Sequence, residues 1–213
     1  MKEFKCGTIS IIGKPNTGKS TLINTLTGVK ISAVSDKPNT TRNKILGVYN
    51  SENSQIIFLD TPGLQKSSKF LNRVMVQSSY QAIGESDIVL VLIDGSKKST
   101  INTEDIASKI VNKKPIIAIN KIDLIKKSKI LNIVNILKDN FPNVESFIPI
   151  SALEEEGLGV LIEEIEKVLP VSDRLLPKDM TTDQTEKFYI SEIIREKIFN
   201  IFYQEVPYRT AVV

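Results

Sequence analysis

Gly13-Lys14-Pro15-Asn16-Thr17-Gly18-Lys19-Ser20 fits the pattern G-x-x-x-x-G-K-[ST] without a gap, and this stretch decides the fold. It follows an apolar, β-branched run over residues 8–12 and opens a segment over 21–26 whose apolar residues recur at helical spacing. A strand that feeds a glycine-bearing turn and then a helix surrounds an anion with peptide N–H groups. The glycines let the backbone wrap closely, successive amides point inward, and the helix presents its positive end. On this reading Gly13, Lys14, Pro15, Asn16, Thr17, Gly18, Lys19, Ser20 and Thr21 form a cradle for nucleotide phosphates. Lys19 is expected to stabilise charge on the β- and γ-phosphates, and the Ser20 hydroxyl to ligate magnesium.

Outward from that loop, apolar runs alternate with helical patterns. Strand-like runs occupy residues 45–49, 56–59, 88–93, 116–119 and 147–150, and several are continuously apolar, as strands buried on both faces of a sheet are. Between them Ile130, Ile133, Val134 and Leu137 share one helical face, as do Leu158, Leu161, Ile162, Ile165 and Leu169. Such alternation predicts an α/β doubly wound sheet of six strands, mixed but mostly parallel, with helices on both faces. The exception lies at residues 45–59, where two strands parted only by residues 50–55 predict an antiparallel hairpin at the sheet edge.

After Leu169 the character changes. Residues 171–185 are polar, carry Pro177 and several Asp and Thr, and read as a linker. A helix follows with Ile190, Ile194, Ile198, Ile201 and Phe202 on one side, then Val206-Pro207 and a short strand-like run over 210–213. A helix and half a strand bury no core of their own, so the expected division is 1–170, 171–185 and 186–213.

Composition narrows the class. The 213 residues are 41% apolar and 25% charged, which suits a folded globular chain. A net charge of +3 is too mild to argue nucleic-acid binding by itself. Cys6 is the single cysteine and His is absent, which rules out an internal disulfide and argues against a zinc cage. Cys6 is expected to pack as a small apolar residue of the first strand. The N-terminus lacks the apolar run of a secretory signal, and no stretch approaches the roughly 18 apolar residues of a membrane span. The expected location is the cytoplasm.

Four further segments carry chemistry. Asp60-Thr61-Pro62-Gly63 ends a strand, which places Asp60 to support magnesium and the Gly63 N–H to sense the γ-phosphate. Asn120-Lys121-Ile122-Asp123 ends another. A carboxylate at Asp123 accepts from both N1–H and N2–H₂ of guanine, a donor pair that adenine lacks, and the Lys121 stem lies over the purine face. Asn120 and Asp123 together are expected to select guanine. Ser151-Ala152-Leu153 suits a loop whose backbone N–H meets the guanine O6. Between Lys30 and Lys44 an aperiodic polar segment reads as a switch loop with a Thr ligand for magnesium, Thr41 ahead of Thr40.

With these elements in order, the chain resembles the translation-factor-related GTPases and, within them, the bacterial Era family. The motifs that carry the resemblance are Gly13–Ser20, Asn39-Thr40-Thr41-Arg42, Asp60-Thr61-Pro62-Gly63-Leu64, Asn120–Asp123, Ser151-Ala152-Leu153, and the tail residues Asp183-Gln184-Thr185 and Glu205-Val206-Pro207-Tyr208. The resemblance implies a P-loop NTPase G domain that binds GTP and GDP with Mg²⁺ and hydrolyses GTP as a switch in small ribosomal subunit assembly and rRNA maturation. Leu64 stands where Ras-like GTPases carry the Gln that orients water, so turnover is expected to be slow. Asn16 matches the residue that holds K⁺ beside the phosphates in potassium-dependent relatives. The resemblance also implies an RNA-binding KH domain beginning in 186–213. No glycine follows Gly159, so the G-x-x-G loop that clamps RNA is missing, and the domain is expected to be incomplete with RNA binding weakened. A peripheral association with the inner face of the cell membrane belongs to the same expectation. Two other readings stand beside it: a GTP/GDP binding switch with negligible hydrolysis, and an ATP-using enzyme in which Asn120–Asp123 is accidental.

Overall fold

In the computed structural model, which describes residues 3–35, 45–60, 81–101 and 103–202 together with 206, 210 and 212, the first strand β1 spans Lys5–Ile12. It lies at the centre of a six-stranded sheet with β2 (Ile45–Asn50), β3 (Ser54–Asp60), β4 (Ile88–Asp94), β5 (Ile116–Asn120) and β6 (Ser146–Pro149). The order is β2-β3-β1-β4-β5-β6. Among the described residues only the β2–β3 strand pair is antiparallel, at the edge; the other neighbouring strands run parallel. The fold is therefore the mixed, mostly parallel sheet that the alternation predicts.

Several strands run past their apolar runs because the ladder needs backbone groups, not apolar side chains. Lys5 and Cys6 pair with Ser54 and Gln55, and Asp94 pairs with Asn120. Ile150 leaves the last strand but still donates its N–H to Ile119 O at 2.8 Å. Side chains alternate between two faces. On one, Ile9, Ile11, Phe58, Leu90 and Leu92 pack with Leu22, Ile23, Leu161 and Ile165 of helices α1 (Lys19–Thr27) and α5 (Leu158–Val168). On the other, Val89, Val91, Ile93 and Ile119 meet Ile133 and Leu137 of α4 (Lys127–Asn140). Ile101 and Ile106 of the short helices α2 (Lys98–Ile101) and α3 (Glu104–Ala107) join them. Each buried Ile or Leu contributes about 1.5–3 kcal/mol relative to exposure. Cys6 is buried beside Ile57 and Leu59, and burial, the largest influence, pushes its thiol pKa up.

Residues 171–185, which composition reads as a linker, are fastened along the hairpin. Thr182 bridges to Gly47, Val48 N donates to Thr181 O at 2.8 Å, and Thr182 Oγ1 donates to Leu46 O at 2.7 Å. The buried Gln55 amide clamps this segment: its Oε1 accepts from Leu175 N (3.0 Å) and Leu176 N (2.9 Å), and its Nε2 donates to Leu176 O (2.9 Å). Polar composition conceals this, because the contacts use backbone groups.

Helix α6 (Glu186–Ile201) starts at Thr185, whose side chain accepts from Phe188 N. Its apolar residues Ile190, Ile194 and Ile201 are exposed, while Glu192, Arg195, Glu196 and Phe199 are buried. Arg195 pairs with Glu192, and Glu196 takes Lys30 Nζ at 2.6 Å and Val34 N at 3.0 Å. The exposed apolar face is a pairing liability.

Replacing Gln55 by Ala leaves two N–H donors without their acceptor. The variant is expected to lose about 1–3 kcal/mol, read as a lower urea midpoint at unchanged slope, with GDP affinity retained. An unchanged midpoint would contradict the clamp.

Candidate nucleotide-binding site

The parallel strands deliver their C-terminal ends to one edge, where ligands bind in folds of this kind. The loop after β1 takes left-handed backbone at Asn16 (φ 63°) and Gly18 (φ 98°) before α1 begins at Lys19. Two glycines are compelled by close approach. A Cβ on Gly13 would stand 2.4 Å from Leu92 O, and one on Gly18 would stand 2.3 Å from Asn120 Nδ2. Thr17 Oγ1 donates to Lys14 O at 3.0 Å, and Lys14 Nζ donates to Ser99 O at 2.6 Å.

Lys19 is buried, and its ammonium donates to Gly13 O and Lys14 O, both at 3.1 Å. Burial lowers its pKa to about 8, against a smaller upward pull from the Asp60 charge. Asp60, fully buried at the end of β3, accepts from Ser20 Oγ at 3.1 Å and Ser32 Oγ at 2.8 Å. A carboxylate and a hydroxyl beside a phosphate cradle are hard oxygen donors that fit magnesium. Ser32 was not legible in sequence, because nothing in the aperiodic stretch around it marks one serine. Thr40 and Thr41, and Thr61, Pro62, Gly63 and Leu64, lie outside the described residues.

The remaining loops meet the phosphate loop from the other side. Asn120, at the end of β5 and only 2% exposed, donates from Nδ2 to Thr17 O at 2.8 Å and accepts Ala152 N at Oδ1 at 2.9 Å. Its amide thus joins three chain segments. Lys121 has left-handed backbone (φ 64°), and its ammonium reaches Asn16 O at 2.9 Å and the Asp94 carboxylate at 2.8 Å. Asp123 follows in a 3-10 turn, Ile122–Leu124, and is exposed at the rim.

Ser151 is tied by its N–H to Glu156 O at 2.9 Å and by its hydroxyl to Glu154 N at 3.1 Å. Thr25 Oγ1 holds Ala152 O at 2.9 Å, and Leu153 is exposed. The Ala152 N–H is engaged by Asn120. Asp94 and Thr25 are further residues of the site that sequence reasoning passed over; neither belongs to a motif.

Residues 8–121 fit the family model described as 50S ribosome-binding GTPase. The GTPase Era of Thermotoga maritima is 45% identical over 214 residues, covering 99% of this chain and 71% of that protein. The GTPase Era of Syntrophus aciditrophicus is 43% identical over 217 residues, covering 99% and 69%. A crystal structure of Era with MgGDPNP and nucleotides 1506–1542 of 16S ribosomal RNA superposes with a TM-score of 0.89 at 39% identity, covering 96% of this chain and 70% of that one. A variant of Aquifex aeolicus Era bound to GDP and AlF4⁻ gives 0.88 at 38%, with the same coverage.

A phosphate brought beside Lys19 would favour its charged form, so nucleotide binding at this loop is expected to raise its pKa from about 8 toward the ordinary lysine range. Above that value the free protein has lost the proton that the complex keeps. GDP affinity is therefore expected to hold near neutrality and to fall above about pH 8, by at most roughly tenfold per pH unit, with proton uptake seen by calorimetry in two buffers. A flat profile would contradict the burial of the ammonium.

Proposed function

Because the chain belongs to the Era family of GTPases, we propose that it binds GTP with Mg²⁺ at these loops, hydrolyses it slowly to GDP and phosphate, and acts as a switch in small ribosomal subunit assembly and rRNA maturation. The observation that carries the reading is the buried Asn120 amide, which joins the phosphate loop to the two segments suited to reading guanine.

Lys19 stabilises charge on the β- and γ-phosphates. Ser20 and Thr41 ligate Mg²⁺, with Asp60 in support, and the Gly63 N–H senses the γ-phosphate. Held there, the ion would supply positive charge against the phosphate oxygens. Asp123 takes the guanine edge, a backbone N–H of the Ser151-Ala152-Leu153 loop meets O6, and Asn120 holds the segments that present them. Lys14, Pro15, Thr17, Gly18 and Thr21 complete the cradle around the phosphates. Leu64 has no group to orient water, which keeps turnover slow. Asn16 would help hold K⁺, and a monovalent cation there would supply the positive charge that an arginine finger gives elsewhere.

The RNA partner is supported by the likeness to the Era structure with 16S ribosomal RNA, which covers 96% of this chain. That whole-chain likeness favours the small subunit over the 50S subunit named in the description of the family model. Residues 1–170 serve as the G domain, 171–185 as the connection and 186–213 as the start of a KH-type RNA module. The chain spans about 70% of the length of these relatives. Among the described residues no helix is long and apolar enough to cross a membrane. Family membership favours turnover over a binding switch without hydrolysis.

Single-turnover GTP hydrolysis by the purified chain, in KCl and in NaCl, tests this, with Lys19→Ala as the blank. Slow hydrolysis lost in the variant and faster in K⁺ is expected. Tight GTP binding with no turnover in either salt would contradict the enzyme, and equal rates in both salts would remove the cation role of Asn16.

A further inference from the structure

Asp94 belongs to none of the nucleotide motifs, yet its carboxylate is fully buried at the C-terminal end of β4, beside the base-reading loop. The β4–β5 register pairs it with Asn120, which places it next to Lys121. Ser96 donates to its Oδ1 from N at 2.9 Å and from Oγ at 2.5 Å, and the Lys121 ammonium forms an ion pair with its Oδ2 at 2.8 Å. Burial alone would raise its carboxyl pKa, but the hydrogen bonds from Lys121 and Ser96 and the Lys121 charge outweigh it and hold the group below its ordinary value. Asp94 is therefore a buried, paired anion, and removing one partner of such a pair leaves an uncompensated charge.

The other end of this contact is the phosphate loop. The Lys121 ammonium also donates to Asn16 O at 2.9 Å, and the Lys121 backbone is left-handed, a conformation that non-glycine residues adopt only when their surroundings enforce it. The side chain is thus anchored at both ends: by the turn that carries Asp123, and by the Asp94–Asn16 pair. Its stem runs between the turn and the phosphate loop. Lys14 and Lys19 carry further ammonium groups at the same loop. The Asp94 carboxylate pairs with the Lys121 charge, whereas the Lys19 ammonium is held by two carbonyls of the loop.

We propose that Asp94 is a positioning residue for the purine: by fixing the Lys121 ammonium against the Asn16 carbonyl it holds the lysine stem as a wall of the base slot, and so sets how long GDP and GTP stay bound. This rests on the guanine-nucleotide reading above. Because the contact touches neither the γ-phosphate nor magnesium, its loss speeds release of both nucleotides alike.

The test is the release rate of ribose-labelled GDP and GTP from the wild-type chain, Asp94→Asn, Lys121→Ala and the double variant. Asp94→Asn is expected to release both nucleotides faster by on the order of tenfold, and the double variant to release them no faster than Lys121→Ala alone. Ser96→Ala controls for stability, since it strips a donor from the carboxylate without touching Lys121. It is expected to lower the melting temperature while leaving release within about twofold. Wild-type release from Asp94→Asn, or single effects that multiply in the double variant, would overturn the proposal. So would a Ser96→Ala release as fast as that of Asp94→Asn at the same loss of melting temperature, which would assign the effect to folding. A wild-type chain that does not prefer guanine over adenine nucleotides would remove the underlying reading as well, which distinguishes the two failures.

Discussion

The side-chain amide of Asn120 is the constraint on which the rest of the site depends. It donates to a carbonyl of the phosphate loop and accepts an N–H of the loop after β6, so three segments far apart in sequence share one buried group. A buried amide with both ends engaged is rigid, because releasing either end strands a polar group without water. The contact also explains a sequence requirement elsewhere. Gly18 needs its left-handed φ, and it also needs no Cβ, since one would stand 2.3 Å from the Asn120 nitrogen. Gly18 and Asn120 are therefore a matched pair.

Charge is arranged around that frame with each ion given a specific neighbour. Lys19 is held by two carbonyls in a buried place that weakens its hold on its own proton. Asp60 is oriented by two serine hydroxyls, and Asp94 by Ser96 and Lys121. Groups preorganised in this way do not have to be gathered from solvent when the nucleotide arrives, which is how a site of this kind stabilises developing charge.

Much of this was legible in the sequence, for reasons that can be named. The central strands read correctly because residues such as 88–93 and 116–119 are buried on both faces and so are continuously apolar. The turn between β1 and α1 was legible at Gly13–Ser20 because the close approaches at Gly13 and Gly18 restrict which residues fit. The polar partners were not. Asp94 and Ser32 act through distances set by tertiary structure, and single Asp or Ser residues leave no periodic trace. The docking of residues 171–182 was hidden because it runs through backbone groups and one buried amide, Gln55. In α6 the apolar stripe is conspicuous in sequence, yet the side turned to the protein carries Glu192, Arg195 and Glu196, whose burial depends on ion pairs that no hydropathy pattern records.

If the Asn120 amide makes the phosphate and base loops one unit, removing it must damage phosphate recognition as well as base recognition. The direct measurement is the ratio of GDP to GMP affinity in Asn120→Ala against the wild-type chain, with a melting curve to confirm folding. The account predicts that GDP's advantage over GMP shrinks by roughly tenfold in the variant, because the cradle for the β-phosphate loses its brace. An unchanged ratio, with both nucleotides weakened equally, would show that the two loops act independently and would contradict it.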